Sequence, residues 1–369
     1  MTSNHNLLRL HEAGVAIWLD TLSRELLESG EFARLVREYS VSGATSNPTI
    51  FARAIESSSL YDRQLKRLLP ASGSDAQELF FALALEDVRN AARELRPTHE
   101  ASGGSDGFIS FECTPDLADD TEGTIAQAVD LWERLGQPNA MIKVPGTLAG
   151  LPAIEELTRR GVNVNVTLLF AVDRYVEVID AYLRGLHARA DVGAPLASIT
   201  SVASFFLSRI DSKVDAALDP DSPLRGRVAL ASAKLAYQRH LDKFSGAKWE
   251  RLRALGARPQ RPLWASTGTK DPAYSDVHYV EGLIGPGVVN TMPESTLRAF
   301  ADHGEVVDSL GDHPADAAQL LMNASAAGVD IPAITLALER EGVRSFCDSY
   351  RELLACIEHK MDLLSSQSD

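Results

Sequence analysis

Cysteine is scarce and unpatterned: Cys113, Cys347 and Cys356 are the only three in 369 residues. An odd count without a CxxC spacing argues against a disulfide framework and against a zinc site, and leaves three reduced thiols. The nine histidines show no paired spacing either, so no metal is expected. No run approaches the roughly 18 apolar residues of a membrane span. Positive charge is in deficit, with a net charge of -15, which disfavours nucleic acid and anionic membranes as partners. The opening stretch MTSNHNLLRLHEAG carries neither an apolar leader nor an arginine-rich transit pattern, so the expected location is the cytoplasm. The glycine-rich first turn of a dinucleotide-binding fold is also missing. With 45% hydrophobic and 24% charged residues, the composition is that of a soluble globular enzyme.

What the chain does have is a repeated unit: a short β-rich run ending in polar, Gly or Pro residues, followed by an amphipathic helical segment. Eight runs qualify: Val15 to Asp20, Ser42 to Asn47, Phe108 to Cys113, Ala140 to Val144, Val162 to Thr167, Ser198 to Ser204, Pro262 to Ser266 and Gly287 to Asn290. Strands alternating with helices pair in parallel through crossovers, and eight of them predict a (β/α)8 TIM barrel of the α/β class. A doubly wound open sheet is the competing arrangement. Helical spacing is expected over Thr21 to Tyr39 and Asp75 to Leu95. The long intervals Pro48 to Gly107 and Phe205 to Arg261 should hold additional helices, with turns at Asp219 to Pro223 and Ala257 to Pro262. After Pro293 the chain reads as helix to its end, with a last long helix from Ile331 to Met361 and the polar tail SSQSD. Residues 1-369 are read as a single domain.

The stretch AMIKVPGT, Ala140 to Thr147, concentrates the chemistry. Lys143 lies between Ile142 and Val144 on a strand that Pro145-Gly146 stops, so its ammonium should be partly desolvated, which disfavours the charged form. A neutral amine is a nucleophile. A lysine snorkelling to water, or paired with a carboxylate, is the plainer reading.

Strand alternation strengthens the chemical reading. Asn163, Asn165 and Thr167 share one face, as do Ser110 with Glu112, Thr45 with Asn47 and Trp264 with Ser266, while Asp20 ends the first strand. Lysine, carboxylates, amides and hydroxyls converging on one barrel mouth are expensive to bury unless they bind a polyhydroxylated ligand. Schiff-base carbon chemistry needs such a set. The amine adds to a ketone, an acid helps the carbinolamine lose water, and the iminium accepts electrons as a C–C bond breaks. Glu112 and Asp20 are the candidate acid/base groups. Asn47, Asn165, Thr45, Thr167 and Ser204 would orient sugar hydroxyls.

GATSNPTIF at Gly43 to Phe51, MIKVPGT at Met141 to Thr147, NVNVTLLF at Asn163 to Phe170 and WASTGTK at Trp264 to Lys270 resemble the transaldolases, in order from Asp20 through Asn290. The resemblance implies a cofactor-free class I enzyme of the pentose phosphate pathway. Such an enzyme moves a dihydroxyacetone unit from sedoheptulose 7-phosphate to glyceraldehyde 3-phosphate, giving erythrose 4-phosphate and fructose 6-phosphate. Lys143 then matches the Schiff-base lysine, Glu112 the acid/base acting through a water, and Asp20 the carboxylate handling the hydroxyl proton. Thr45, Asn47, Asn165, Thr167 and Ser204 match substrate-orienting positions, and Arg209 and Ser266 match phosphate binders. Where many members carry a second phosphate-binding arginine, this chain has Gly268, and Lys270 is the replacement charge. Two alternatives stay open: a fructose-6-phosphate aldolase, and a phosphosugar-binding barrel without turnover. The expected partners are small sugar phosphates, and the expected state is a monomer or homodimer. Trp132, Phe205 and Phe206 are read as packing between helices and barrel, and Cys113 as an inert buried thiol.

Overall fold

In the computed structural model, residues 4–68, 75–311 and 314–366 are described; Gln367 to Asp369 of the polar tail lie outside them. The apolar runs form strands of five or six residues: β1 (Val15–Leu19), β2 (Val41–Thr45), β3 (Phe108–Glu112), β4 (Ala140–Pro145), β5 (Val164–Leu169), β6 (Ser201–Phe206), β7 (Arg261–Ala265) and β8 (Val288–Met292). They close in sequence order into a parallel barrel, with β1 paired to β8. The expected (β/α)8 barrel is therefore the observed fold, with additional helices in the two long connections and at the C-terminus.

Strand ends differ from expectation where side chains take over the ladder. Ser198 to Thr200 form a turn instead of strand, because Thr200 donates its amide to the Asn163 Oδ1. Asn163 in turn donates to the Pro138 and Ala140 carbonyls, so it ties loops together below the ladder.

Register carries side-chain parity around the ring. Glu112 pairs with Lys143 and Lys143 with Asn165, so these three share the inward face at nearly one height. Deeper in the barrel, Trp18, Gly43 and Phe108 are neighbours in register. The Trp18 indole fills this layer and donates from Nε1 to Asp106 Oδ1 at 3.0 Å. Gly43 is required by that approach, since a Cβ there would sit 2.5 Å from the indole ring.

The segment expected as one helix over Thr21 to Tyr39 is two, Arg24–Glu28 and Glu31–Glu38, because Gly30 takes a left-handed φ of 75° between them. Arg24 in the first turns inward to pair with Asp87 at 2.9 Å, and the Tyr61 hydroxyl donates to the other Asp87 oxygen at 3.0 Å. The helical region expected after Pro293 is observed as Glu294–His303, Pro314–Ala326 and Ile331–Ser366, the last opening where the expected long helix does. Between the first two, Ser309 and Leu310 bond their amides to the Ile284 carbonyl instead of continuing a helix. The last of these helices packs against Pro48–Ser57, Ala76–Ala101 and Ser208–Ala217. No single helix among the described residues is long and apolar enough to cross a membrane.

Gly43→Ala should destabilise the barrel by about 1–3 kcal/mol through overpacking against the Trp18 ring. A denaturant titration that left the unfolding midpoint unmoved would show that the ring has room to yield.

Candidate active site

The end of β4 puts Lys143 inside the barrel because its neighbours Ile142 and Val144 are turned to the helices by strand parity. Its side chain is almost enclosed, at 6% exposure, and Glu112 beside it at 7%. The Lys143 Nζ donates to Glu112 Oε2 at 3.1 Å. Burial pushes the Glu112 carboxyl above its ordinary range, against the pull of the Lys143 charge. Asp20, one residue past β1, opens onto the same cavity as Lys143. Burial pushes its carboxyl up as well, opposed by the charges of Lys143 and then Lys270.

The cavity is lined by Asp20, Thr45, Asn47, Lys143, Ser204, Arg209, Ser266 and Lys270, eight of the residues expected there. Asn47 also caps the helix Pro48–Ser57, its Oδ1 accepting from the Ile50 amide at 3.0 Å, which fixes how it faces the site. Thr45 Oγ1 lies 3.3 Å from Thr291 Oγ1. Glu112, Asn165 and Thr167 do not line the cavity, and the last two are fully buried. Asn165 is locked between two hydroxyls, donating to Ser110 Oγ at 3.0 Å and accepting from Ser204 Oγ at 2.7 Å. Thr167 Oγ1 has no protein partner among the described residues. A buried hydroxyl of that kind calls for a water or a ligand.

At the other end of the cavity, Arg209 is half-buried over the Phe206 ring at 5.4 Å and has no carboxylate within ion-pair distance among the described residues. Burial pushes its guanidinium down. Lys270 is exposed and likewise without an ion pair among the described residues. Ser266 contacts Ser208 Oγ at 2.8 Å, beside the amino end of the helix Ser208–Ala217. Two cations without an ion pair among the described residues and the Ser266 hydroxyl stand together at this end of the cavity, beside a helix amino end, with Asp20 near enough to feel the Lys270 charge.

Two expectations need correction. Trp264 and Ser266 do not share a face. Trp264 is in register with Phe205 and packs edge-on against it at 6.4 Å, and Phe205 in turn meets Tyr175 of the helix Val172–Asp191, so both rings face the helices. Ser266 reaches the cavity because its φ of 57° breaks the alternation just past β7. Phe206 is not helix packing but part of the cavity wall. Phe205 does pack between barrel and helix, and Cys113 is a buried thiol whose ionisation burial pushes up.

Thr291 and Phe346 also line the cavity and were missed. Thr291 was within reach of the parity argument, one residue past the run ending at Asn290. Phe346 was not, because it comes from the C-terminal helix and carries no strand-end signal.

The sequence model of the family described as Transaldolase/Fructose-6-phosphate aldolase matches residues 17–357. A protein named Transaldolase from Saccharopolyspora erythraea is 47% identical over 366 residues, covering 98% of this chain and 99% of its own. One of the same name from Frankia alni is 48% identical over 361 residues, 96% of this chain and 97% of its own. Transaldolase 2 of a Nostoc species is 43% identical over 381 residues, covering 99% and 100%.

The raised Asp20 carboxyl has a consequence for stability. Its folded form holds a proton that the unfolded chain begins to release near the ordinary value of 3.8, so its contribution falls as pH rises through that window toward its folded value. Asp20→Asn should therefore unfold at a higher temperature than the wild type at neutral pH, with the gap narrowing toward pH 4. Equal melting temperatures at both pH values would show that Asp20 is not strained by burial.

Proposed function

The chain belongs to the transaldolase/fructose-6-phosphate aldolase family, and from that premise we propose that it is a cytoplasmic transaldolase. It moves a dihydroxyacetone unit from sedoheptulose 7-phosphate to glyceraldehyde 3-phosphate, releasing erythrose 4-phosphate and fructose 6-phosphate, through a Schiff base on Lys143. The observation that carries this reading is the buried Lys143–Glu112 contact at 3.1 Å, with Asp20 opening onto the same cavity.

The 3.1 Å contact gives the proton a direct path from the Lys143 Nζ to the Glu112 carboxylate, supplying the amine that attacks and the acid that dehydration needs. The amine attacks the ketose carbonyl. The acid then supplies the proton that lets hydroxide leave the carbinolamine as water. Thr167 Oγ1, buried and unpartnered, is the natural second anchor for a water working with Glu112. With the iminium formed, Asp20 takes the proton of the hydroxyl beside the breaking C–C bond, and electrons flow to nitrogen as the aldose phosphate leaves. The acceptor aldehyde reverses the step, Asp20 returns the proton to the new alkoxide, and water added across the product iminium with help from Glu112 releases the ketose and restores the Lys143 amine. Because the iminium nitrogen is the electron sink, no step needs a cofactor.

Thr45, Asn47 and Ser204 are placed to hold ketose hydroxyls, with Asn165 fixing Ser204 from beneath. Arg209, Ser266 and Lys270 hold the phosphate. Gly268 leaves no side chain where many relatives would place an arginine, so Lys270 supplies the second charge. The partners on this reading are small sugar phosphates, not nucleic acid or membrane, and the working unit is a monomer or homodimer.

Reduction with borohydride in the presence of fructose 6-phosphate should leave a covalent adduct on Lys143 in peptide mass spectra, and Lys143→Ala should leave none; an unmodified lysine in the wild type would refute the mechanism. Arg209→Ala should raise the KM for fructose 6-phosphate by about tenfold or more, from loss of a charge-assisted contact, with little effect on cleavage of unphosphorylated fructose. A matching loss on both sugars would remove Arg209 from the phosphate site.

A further inference from the structure

One wall of the cavity comes not from a strand end but from the last helix of the chain. Phe346 is 5% exposed, and its ring centre lies 5.8 Å from the Lys143 Nζ. One turn earlier on the same face, Gly342 lets the helix backbone down onto Leu168 at the end of β5; a Cβ there would stand 2.8 Å from the Leu168 Cδ2. On one side of this seat, Glu341 pairs with Lys213 of the helix Ser208–Ala217 at 2.9 Å. On the other, Ser349 accepts from Thr49 Oγ1 at 2.7 Å, and Tyr350 meets the Phe80 ring edge-on at 6.0 Å. Farther along, Lys360 bonds Asp62 at 2.9 Å and the Ser58 carbonyl at 2.8 Å. The helix is thus strapped across the barrel mouth, with Phe346 turned down onto the amine.

We propose that Phe346 keeps proton-donating water from the enamine carbon of the Lys143 adduct, so that the C-terminal helix sets the balance between handing on the three-carbon unit and losing it as free dihydroxyacetone. This rests on the Schiff-base reading above. After C–C cleavage the nitrogen carries an enamine with two fates. In transfer, the enamine carbon attacks the acceptor aldehyde, a C–C bond forms, and the alkoxide takes the proton held by Asp20. In loss, a proton from solvent adds to the enamine carbon, and water adds across the resulting iminium C=N bond. The C–N bond then breaks with its electron pair returning to the Lys143 nitrogen, which leaves protonated as the ketone forms. Both fates end with water adding across an iminium to free Lys143, but only the second needs a solvent proton at the enamine carbon. An apolar ring on that side offers a proton-donating water no hydrogen bond. The acceptor's phosphate would instead meet the polar side of the cavity lined by Arg209, Ser266 and Lys270.

The test supplies fructose 6-phosphate as donor and erythrose 4-phosphate as acceptor, and measures free dihydroxyacetone against sedoheptulose 7-phosphate formed. Phe346→Ala should raise that ratio by about tenfold, with the borohydride adduct on Lys143 still formed. Phe346→Leu, which retains apolar bulk and guards against loss of the fold, should move it by a smaller factor in the same direction. Gly342→Val keeps the ring but lifts the helix from Leu168, and should also raise the ratio. An unchanged ratio in folded variants that still form the adduct would overturn the role of Phe346 alone. Absence of an adduct in the wild type would instead overturn the Schiff-base reading on which it rests.

Discussion

Two ionisable groups are kept in contact where there is little water, and the structure around them is arranged to make that tolerable. Lys143 and Glu112 are register neighbours on adjacent strands, so the barrel's hydrogen-bond ladder sets their 3.1 Å separation instead of side-chain flexibility. Removing either partner would strand a buried charge, a change that typically costs about 3–5 kcal/mol. Chemistry and stability therefore pull against each other at this pair, and the fold compensates nearby. Asn165 is pinned at both ends of its amide, and the Trp18 layer fills the barrel below.

The same tension recurs at the Arg209 and Lys270 end of the cavity. A chain with a net charge of -15 leaves these two without an ion pair among the described residues at the mouth of its own barrel. Elsewhere its arginines are commonly tied to carboxylates, as Arg24 is to Asp87 and Arg34 to Glu31. Unpaired cations at one place in an acidic protein mark where an external anion completes the charge balance. Lys143 and the two cations line one cavity, which on the proposed reading fixes the sugar's direction in it.

The last helix changes the character of the site from open to covered. Barrel loops supply side chains around the rim, but a rim by itself leaves the centre wet. Here the Ile331–Ser366 helix crosses above, held at both sides by ion pairs and hydrogen bonds to helices distant in sequence.

Sequence by itself determined the eight strands, their parallel order and the inward parity of Lys143, Glu112 and Asn165. Those follow from local alternation and from the turn residues that end each run, and both are short-range signals. Asp20, Thr45, Asn47 and Ser204 were legible for the same reason. The breaks in the helical segments were less legible: helical spacing continues across Gly30, and only its left-handed backbone shows the stop. Ser266 was legible, but Trp264 was misread onto its face, since a positive φ at Ser266 interrupts the alternation on which the reading depended. Only the tertiary structure decided that Asn165 and Thr167 stay out of the cavity lining, that Arg209 has no ion-pair partner among the described residues, and that Phe346 stands over the amine. Each of those depends on which distant segments meet, and the free energy of such meetings lies in packing and charge complementarity between elements, which no local pattern encodes.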